Sequence, residues 1–172
     1  MDLNTLIDRT GLPRRLVRYV VDHDLVGFGK ILSQGDAVGR ARRFADDVGI
    51  GIALAAYMLQ AGLKRDLVVR ILETLPDIYF KEKDGSFDTP VLPSLIVRPI
   101  PATLEILDAK HVRFTSDVVG HPWHSEWWSL ESHKPVSSPD SEGLLRIQID
   151  FGKIRDQIIK PAGNISESTE TP

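Results

Sequence analysis

Four side chains near the start of this 172-residue chain have the types and spacing to do chemistry together: Arg14, Arg15, Arg18 and Tyr19. Arg14 and Arg18 are four residues apart, so on a helix they share a face, with Arg15 beside them. A guanidinium is a planar fork that grips phosphate or guanine bidentately. The Tyr19 hydroxyl adds a donor at the edge of the same face. A second cluster, Arg40, Arg42 and Arg43, lies behind a glycine-punctuated stretch and suits phosphate positioning without base readout. From Arg9 to Arg43 there are eight Lys/Arg and three Asp, a local charge of +5 in a chain whose total is −3. The chemistry these clusters suit is contact with double-stranded DNA. The plainer alternatives are a solvated basic face for the first cluster and salt bridging to nearby aspartates for the second.

Elements of suitable shape surround these residues. A short helix over 4–10 is expected, with Asn4 as N-cap and Gly11 ending it in a left-handed conformation. Pro13 opens a second helix, which needs no N–H there, and it runs to about His23. Leu16, Val17, Val20 and Val21 form its apolar stripe. Gly27, Gly29, Gly35 and Gly39 then punctuate a stretch read as a two-stranded wing. Asp46 is the expected cap of a nearly all-apolar helix over roughly 47–60. An amphipathic helix over 64–75 follows, carrying Leu67, Val68, Ile71, Leu72 and Leu75, and Pro76 stops it.

The second half differs in kind. Pro90, Pro93, Pro99 and Pro101 interrupt β-branched runs such as 95–97 and 104–107. Residues 112–115 and 145–149 alternate like strands. Residues 129–143 read as an exposed loop and 151–159 as a closing helix. Residues 161–172 are polar and expected to be disordered. The halves also differ in charge, with +2 over residues 1–75 and −5 over 76–172, so only the first half should seek phosphate. No cysteine is present, which excludes disulfides, thiolate metal sites and cysteine nucleophiles. The N-terminus has no signal-peptide pattern and no apolar run is long enough to span a membrane, so a cytoplasmic location is expected.

All three tryptophans lie in one stretch with two histidines and a carboxylate: His121, Trp123, His124, Glu126, Trp127 and Trp128. A metal site on His121, His124 and Glu126, with His111 or His133 to complete it, is one reading. A pocket for a flat or cationic small-molecule effector walled by the three tryptophans is another. Packing in a β core or at a subunit interface is the preferred one. The chain carries no Gly-x-Ser-x-Gly, no phosphate-binding loop and no His-Glu-x-x-His, so neither an enzyme nor a cofactor is expected.

The first 75 residues resemble the DNA-binding domain of the MerR family of transcription regulators. The resemblance rests on Thr10-Gly11-Leu12 in the turn, Val17-Arg18-Tyr19 in the second helix, Leu25-Val26 after it, Arg42-Arg43-Phe44 followed by Asp46-Asp47, and the Gly62-Leu63 break. It covers a little under half the chain. Val20 stands where the family has a second aromatic, and Asp24 where it has glycine. The family's long dimerisation helix is replaced by Pro76 and the proline-broken second half. The resemblance implies a winged helix-turn-helix in which Arg14, Arg15, Arg18 and Tyr19 enter the major groove and Arg40, Arg42 and Arg43 hold flanking phosphates.

The sequence therefore predicts an α+β protein with three parts: a MerR-like winged helix-turn-helix over 1–75, a small β-rich dimerisation or sensing domain over 77–160, and a disordered tail over 161–172. Its expected role is a sequence-specific transcription regulator binding DNA as a homodimer. The rival expectations are a protein-interaction adaptor, using Leu67, Val68, Ile71 and the tryptophan segment, and an excisionase-like architectural DNA-binding protein.

Overall fold

The computed structural model describes residues 1–27, 43–80, 89–97, 100–116, 123–137, 139 and 146–159. Residues 28–42 of the expected wing, Arg40 and Arg42 among them, lie outside them, as do His121 and the tail. The fold is α+β. In chain order the elements are α1 (Leu3–Thr10), α2 (Arg14–Asp22), α3 (Asp46–Gln60), α4 (Arg65–Thr74), β1 (Tyr79–Phe80), β2 (Thr89–Pro90), α5 (Val91–Val97), β3 (Thr103–Leu107), β4 (His111–Ser116), β5 (Trp123–His124), β6 (Trp127–Ser129), β7 (Pro135–Val136), β8 (Arg146–Asp150) and α6 (Phe151–Ile159). Pro76 sits in a 3-10 turn, Leu75–Asp77, that closes α4.

The centre is α3. Ten of its fifteen residues are buried, from Val48 to Met58, on every side of the helix. A helix apolar all round must be covered all round. It is covered by α2, α4, α6 and α1, all of which pack on it. Val17, Val20 and Val21 of α2 and Val68, Ile71 and Leu72 of α4 face inward. The adaptor surface expected on α4 is therefore corrected: Val68 and Ile71 have no accessible surface, because their face seals the core.

Two caps differ from expectation. Asp2, not Asn4, caps α1, its carboxylate accepting from Thr5 N at 2.8 Å. Those acceptor bonds to backbone N–H groups hold the Asp2 carboxyl below its ordinary value. Ala45 precedes α3 without a side-chain cap, and Asp46 and Asp47 instead lie in its first turn, where acids complement the helix dipole. The run 95–97, β-branched in pattern, is the end of helix α5. Pro93 lies in its first turn, where its missing N–H costs nothing, and Val91, Leu92 and Leu95 are buried.

The main sheet is antiparallel, in the order β7-β6-β4-β3-β8, with β5 also on β4. The pairing of β4 shifts by one residue between His124 opposite Thr115 and Trp128 opposite Val112. The extra residue is a bulge at Ser125–Glu126. Ser125 seals it, donating its N–H to Phe114 O and accepting Phe114 N at its hydroxyl. The bulge lets Trp123 and Trp128 both turn toward the core face, since five residues apart they would otherwise point to opposite faces. Part of the expected 129–143 loop is ordered as β7, and Leu130 is buried.

The core face of the sheet carries Leu104, Ile106, Val112 and Phe114, and Phe114 meets Phe151 of α6 edge to face at 5.3 Å. Helix α6 falls where the sequence places it, but its packing links the two halves. Arg9 donates to the Ile158 carbonyl and the Tyr57 hydroxyl lies 3.4 Å from the Gln157 side-chain amide, while buried Arg155 donates to the carbonyls of Leu95 and Ile100. One continuous core results. Ile158→Ala, at a position with no accessible surface, should cost about 2–5 kcal/mol. Urea unfolding followed by tryptophan fluorescence checks this, and loss of the whole α6 should lower the midpoint further.

On the opposite face of the sheet Glu105 is almost fully buried beneath a cross-strand network. Arg113 Nε donates to it at 2.6 Å, Arg146 at 2.8 Å and Gln148 Nε2 at 2.8 Å. The guanidinium of Arg113 lies 4.3 Å from the Trp127 ring centroid. Burial alone would raise the Glu105 carboxyl, but the donors from Arg146, Arg113 and Gln148 outweigh it and hold the group below its ordinary 4.5. A depressed folded-state value means that the carboxylate contributes stability above pH 4.5, lost as pH falls through the folded-state value. Glu105→Gln should cost about 1–3 kcal/mol at neutral pH, and the gap to the wild type should close on acidification, as pH-dependent urea unfolding will measure.

Candidate nucleic-acid interface

The region is built around two helices and a tight turn. Gly11 has φ +66°, a left-handed value, and returns its N–H to Ile7 O. Buried Leu12 fills the turn and Pro13 starts α2. Thr10 Oγ1 donates to Leu6 O and accepts weakly from Leu12 N, while Tyr57 of α3 donates to Thr10 O at 3.0 Å. The turn is thus tied to the central helix. At the far end of α2, Asp24 takes φ +47° and Leu25 N reaches back to Val20 O. This is a left-handed helix stop, here made by an aspartate where the resembled family has glycine.

With Val17, Val20 and Val21 turned inward, the solvent face of α2 is Arg14, Arg15, Arg18, Tyr19 and Asp22. Its two edges line different grooves. Arg14 and Arg18 border one of ≈ 380 Å³ with Leu3, Asn4 and Phe44. Arg14 is oriented there by Asn4, whose carbonyl accepts from it at 2.9 Å. This explains why Asn4 is not the cap. Arg15 and Tyr19 border the other groove with Leu59 and Arg65. Tyr19 leans on His23 at 4.4 Å between ring centroids.

Arg43 is exposed. It is placed beside α1 by a short antiparallel bridge to Asp2, with Phe44 N donating to Met1 O. Arg9 is not part of the exposed set, because it is committed to the C-terminal carbonyl of Ile158 on α6. Arg65, which the sequence reading missed, joins Arg15 and Tyr19 on one groove. Its signal was its position, because Arg65 is the first residue of α4.

Position matters because helix N-termini carry partial positive charge. Helix α2 begins Arg14-Arg15, has no acid in its first turn and no side-chain cap. Helix α4 begins with Arg65 but carries Asp66 in the same turn. The two α2 cations stand against their own helix dipole, an arrangement that costs stability and that an anion would offset. Helix α3, by contrast, begins with two aspartates.

Among the described residues the second set of candidates is not assembled into a site. His124 is exposed on β5, and Trp128 is buried against Tyr79 at 6.4 Å between ring centroids. Trp127 is covered by Arg113. Among the described residues no three His, Cys, Asp or Glu converge to hold a metal ion, and no helix is long and apolar enough to cross a membrane. Compared with known proteins, the chain matches no family model, no curated protein and no solved structure.

If the arginines oppose the α2 dipole, their replacement should help the fold. Arg15→Glu should raise stability by about 0.3–1 kcal/mol at low salt, an effect that weakens as salt is added. Thermal unfolding of the variant at two ionic strengths provides the measurement.

Proposed function

We propose that the chain is a MerR-like, sequence-specific DNA-binding transcription regulator. In this reading α2 enters the major groove, presenting Arg14, Arg15, Arg18 and Tyr19 to base edges and phosphates. Arg43 and Arg65 contact flanking backbone, and Arg40 and Arg42 belong with Arg43. The observation that carries the reading is the pairing of a three-residue turn, Gly11 to Pro13, with an α2 whose solvent face is cationic and whose first turn opposes its own dipole. A single module of this size makes a small interface, so paired half-sites read by a homodimer would supply the affinity.

A second reading, an adaptor for a partner protein, is favoured by one observation. Pro76, Pro90, Leu92, Pro93, Ile96 and Val97 line an apolar groove, with Val97 81% exposed. Salt separates the two readings. DNA binding falls steeply with salt because counterions are released, whereas an apolar contact does not.

Selection of genomic fragments by the purified chain, followed by sequencing, is the direct test. A palindromic consensus is expected, and no enrichment would end the reading. On the selected site Arg18→Ala should weaken specific binding by about 1–3 kcal/mol while changing stability by about 0.5 kcal/mol at most. Arg43→Ala should weaken all sequences alike and reduce the salt slope by about one unit. Fluorescence anisotropy titrations across salt concentrations measure both.

A further inference from the structure

Strand β8 closes the sheet. It pairs with β3 on one side, and among the described residues no strand pairs with its other side. An open edge of this kind offers a row of backbone donors and acceptors to another strand. Its sequence, Arg146-Ile147-Gln148-Ile149-Asp150, contains no proline and follows β3 in unbroken register for all five residues. Ile147 and Ile149 are half-buried and packed on the core from one side only. Edges that resist pairing are blunted by proline, bulges, inward-pointing charges or lysine. This edge carries opposite charges, placed symmetrically about its central residue.

We propose that β8 pairs antiparallel with β8 of a second copy of the chain, with the two-fold axis passing between the two Gln148 residues, so that the sheets of the two copies become continuous. The geometry restricts the choice. In an antiparallel self-pair, opposed residues must lie on the same face of the sheet, so the axis must pass through a residue paired with its own copy. Centring on Gln148 is the register that pairs all five residues. It sets Arg146 opposite the second copy's Asp150, twice, on the outer face. It sets Ile147 opposite the second copy's Ile149, twice, on the core face. Opposite charges and β-branched pairs directly across a ladder both stabilise it. Arg146 has capacity to spare, with its side chain 49% exposed and one nitrogen on Glu105. Asp150 holds the start of α6 through Oδ1. The pairing stands apart from the DNA reading, since it uses the sheet edge and none of α2.

Sedimentation equilibrium of the full chain should show a dimer. The chain has no native cysteine, so Gln148→Cys gives one thiol per copy. A short bis-maleimide reagent should then link the copies, and a His124→Cys control should not be linked. Asp150→Lys sets lysine opposite Arg146 twice and should weaken association about tenfold or more. Arg146→Asp should do the same. Mixing these two variants makes every cross pair complementary and should restore a dimer that neither forms alone. Circular dichroism confirms that each variant is folded. If Arg146→Asp is not, Asp150→Lys and the Gln148→Cys cross-link decide. A wild-type chain that stays monomeric at tens of micromolar overturns the proposal. So does a dimer that ignores Asp150→Lys and leaves the Gln148→Cys chain unlinked. Anisotropy on the same samples keeps the two proposals distinct: an intact dimer that binds no selected DNA sinks the DNA reading, and a monomer that binds it sinks the pairing.

Discussion

The constraint on which the molecule depends is the apolar character of α3. A fifteen-residue helix with ten buried residues spread around its circumference has no face to give to water. Each neighbouring helix is placed by that demand. Helices α1 and α2 cover one side, α4 another, and α6 arrives from the far end of the chain to cover what remains. The α1–turn–α2 unit is rigid for the same reason. Its turn is held by Tyr57 from α3 and its first helix by the contact of Arg9 with α6. The cationic face of α2 is then what is left outside after the valines have gone in. Its position on the molecule is a consequence of burial, while its composition is not.

That composition is where the energetics become informative. Burial explains why α2 carries polar residues at 14, 15 and 18, but any polar residue would satisfy it. Acids would satisfy it better, because Asp or Glu in a first turn gains about 0.3–1 kcal/mol from the helix dipole. Helix α3 takes that gain with Asp46 and Asp47 and α4 with Asp66, whereas α2 forgoes it with Arg14 and Arg15. Arg14 donates to Asn4, so Arg15 is the clearer case: a local rule broken without a compensating contact among the described residues is the expected mark of a functional surface. The Glu105 network shows what arginines do here when their work is internal. Arg113 and Arg146 both donate to one buried carboxylate, and Arg155 meets backbone carbonyls and Asp156. Arg15 and Arg18 are exposed and form no ion pair among the described residues.

Much of this was legible in the sequence where the signal is local. The period of Leu16, Val17, Val20 and Val21 places α2, Gly11 marks the end of α1, and the 151–159 helix falls where its pattern puts it. The α+β character follows from the same patterns. Local signals failed where two rules competed. Leu95-Ile96-Val97 is a β-branched run by composition, yet Val91, Leu92 and Leu95 bury one helical face and Pro93 suits a first turn, so tertiary burial decided. Asn4 is a good cap by type, but Asp2 is nearer the start of the helix and Arg14 claims the Asn4 carbonyl. The odd spacing of Trp123 and Trp128 conceals that both face the core, because a bulge at Ser125–Glu126 resets the alternation. Arg65 was passed over as a site residue for a plainer reason. Its proximity to Arg15 exists only once α4 has packed on α3.

The continuous core also bears on how the halves could influence each other. Arg9 lies two residues before the turn Gly11 to Pro13 and binds the end of α6, while Asp150 joins the start of α6 directly to β8. Only one nine-residue helix therefore separates the open sheet edge from the turn that positions α2. Both ends of that helix are held by side-chain bonds, and its buried face, Phe151, Ile154, Arg155 and Ile158, is packed along its length. A helix so held transmits displacement as a rigid body, because a close-packed interior has little compliance. An event at the sheet edge that moved β8 would shift α6 against α1 and α3 together, and with them the turn. The architecture thus connects the acidic β-rich half to the basic helical half by packing, without the long helix that the resembled family uses for its own assembly.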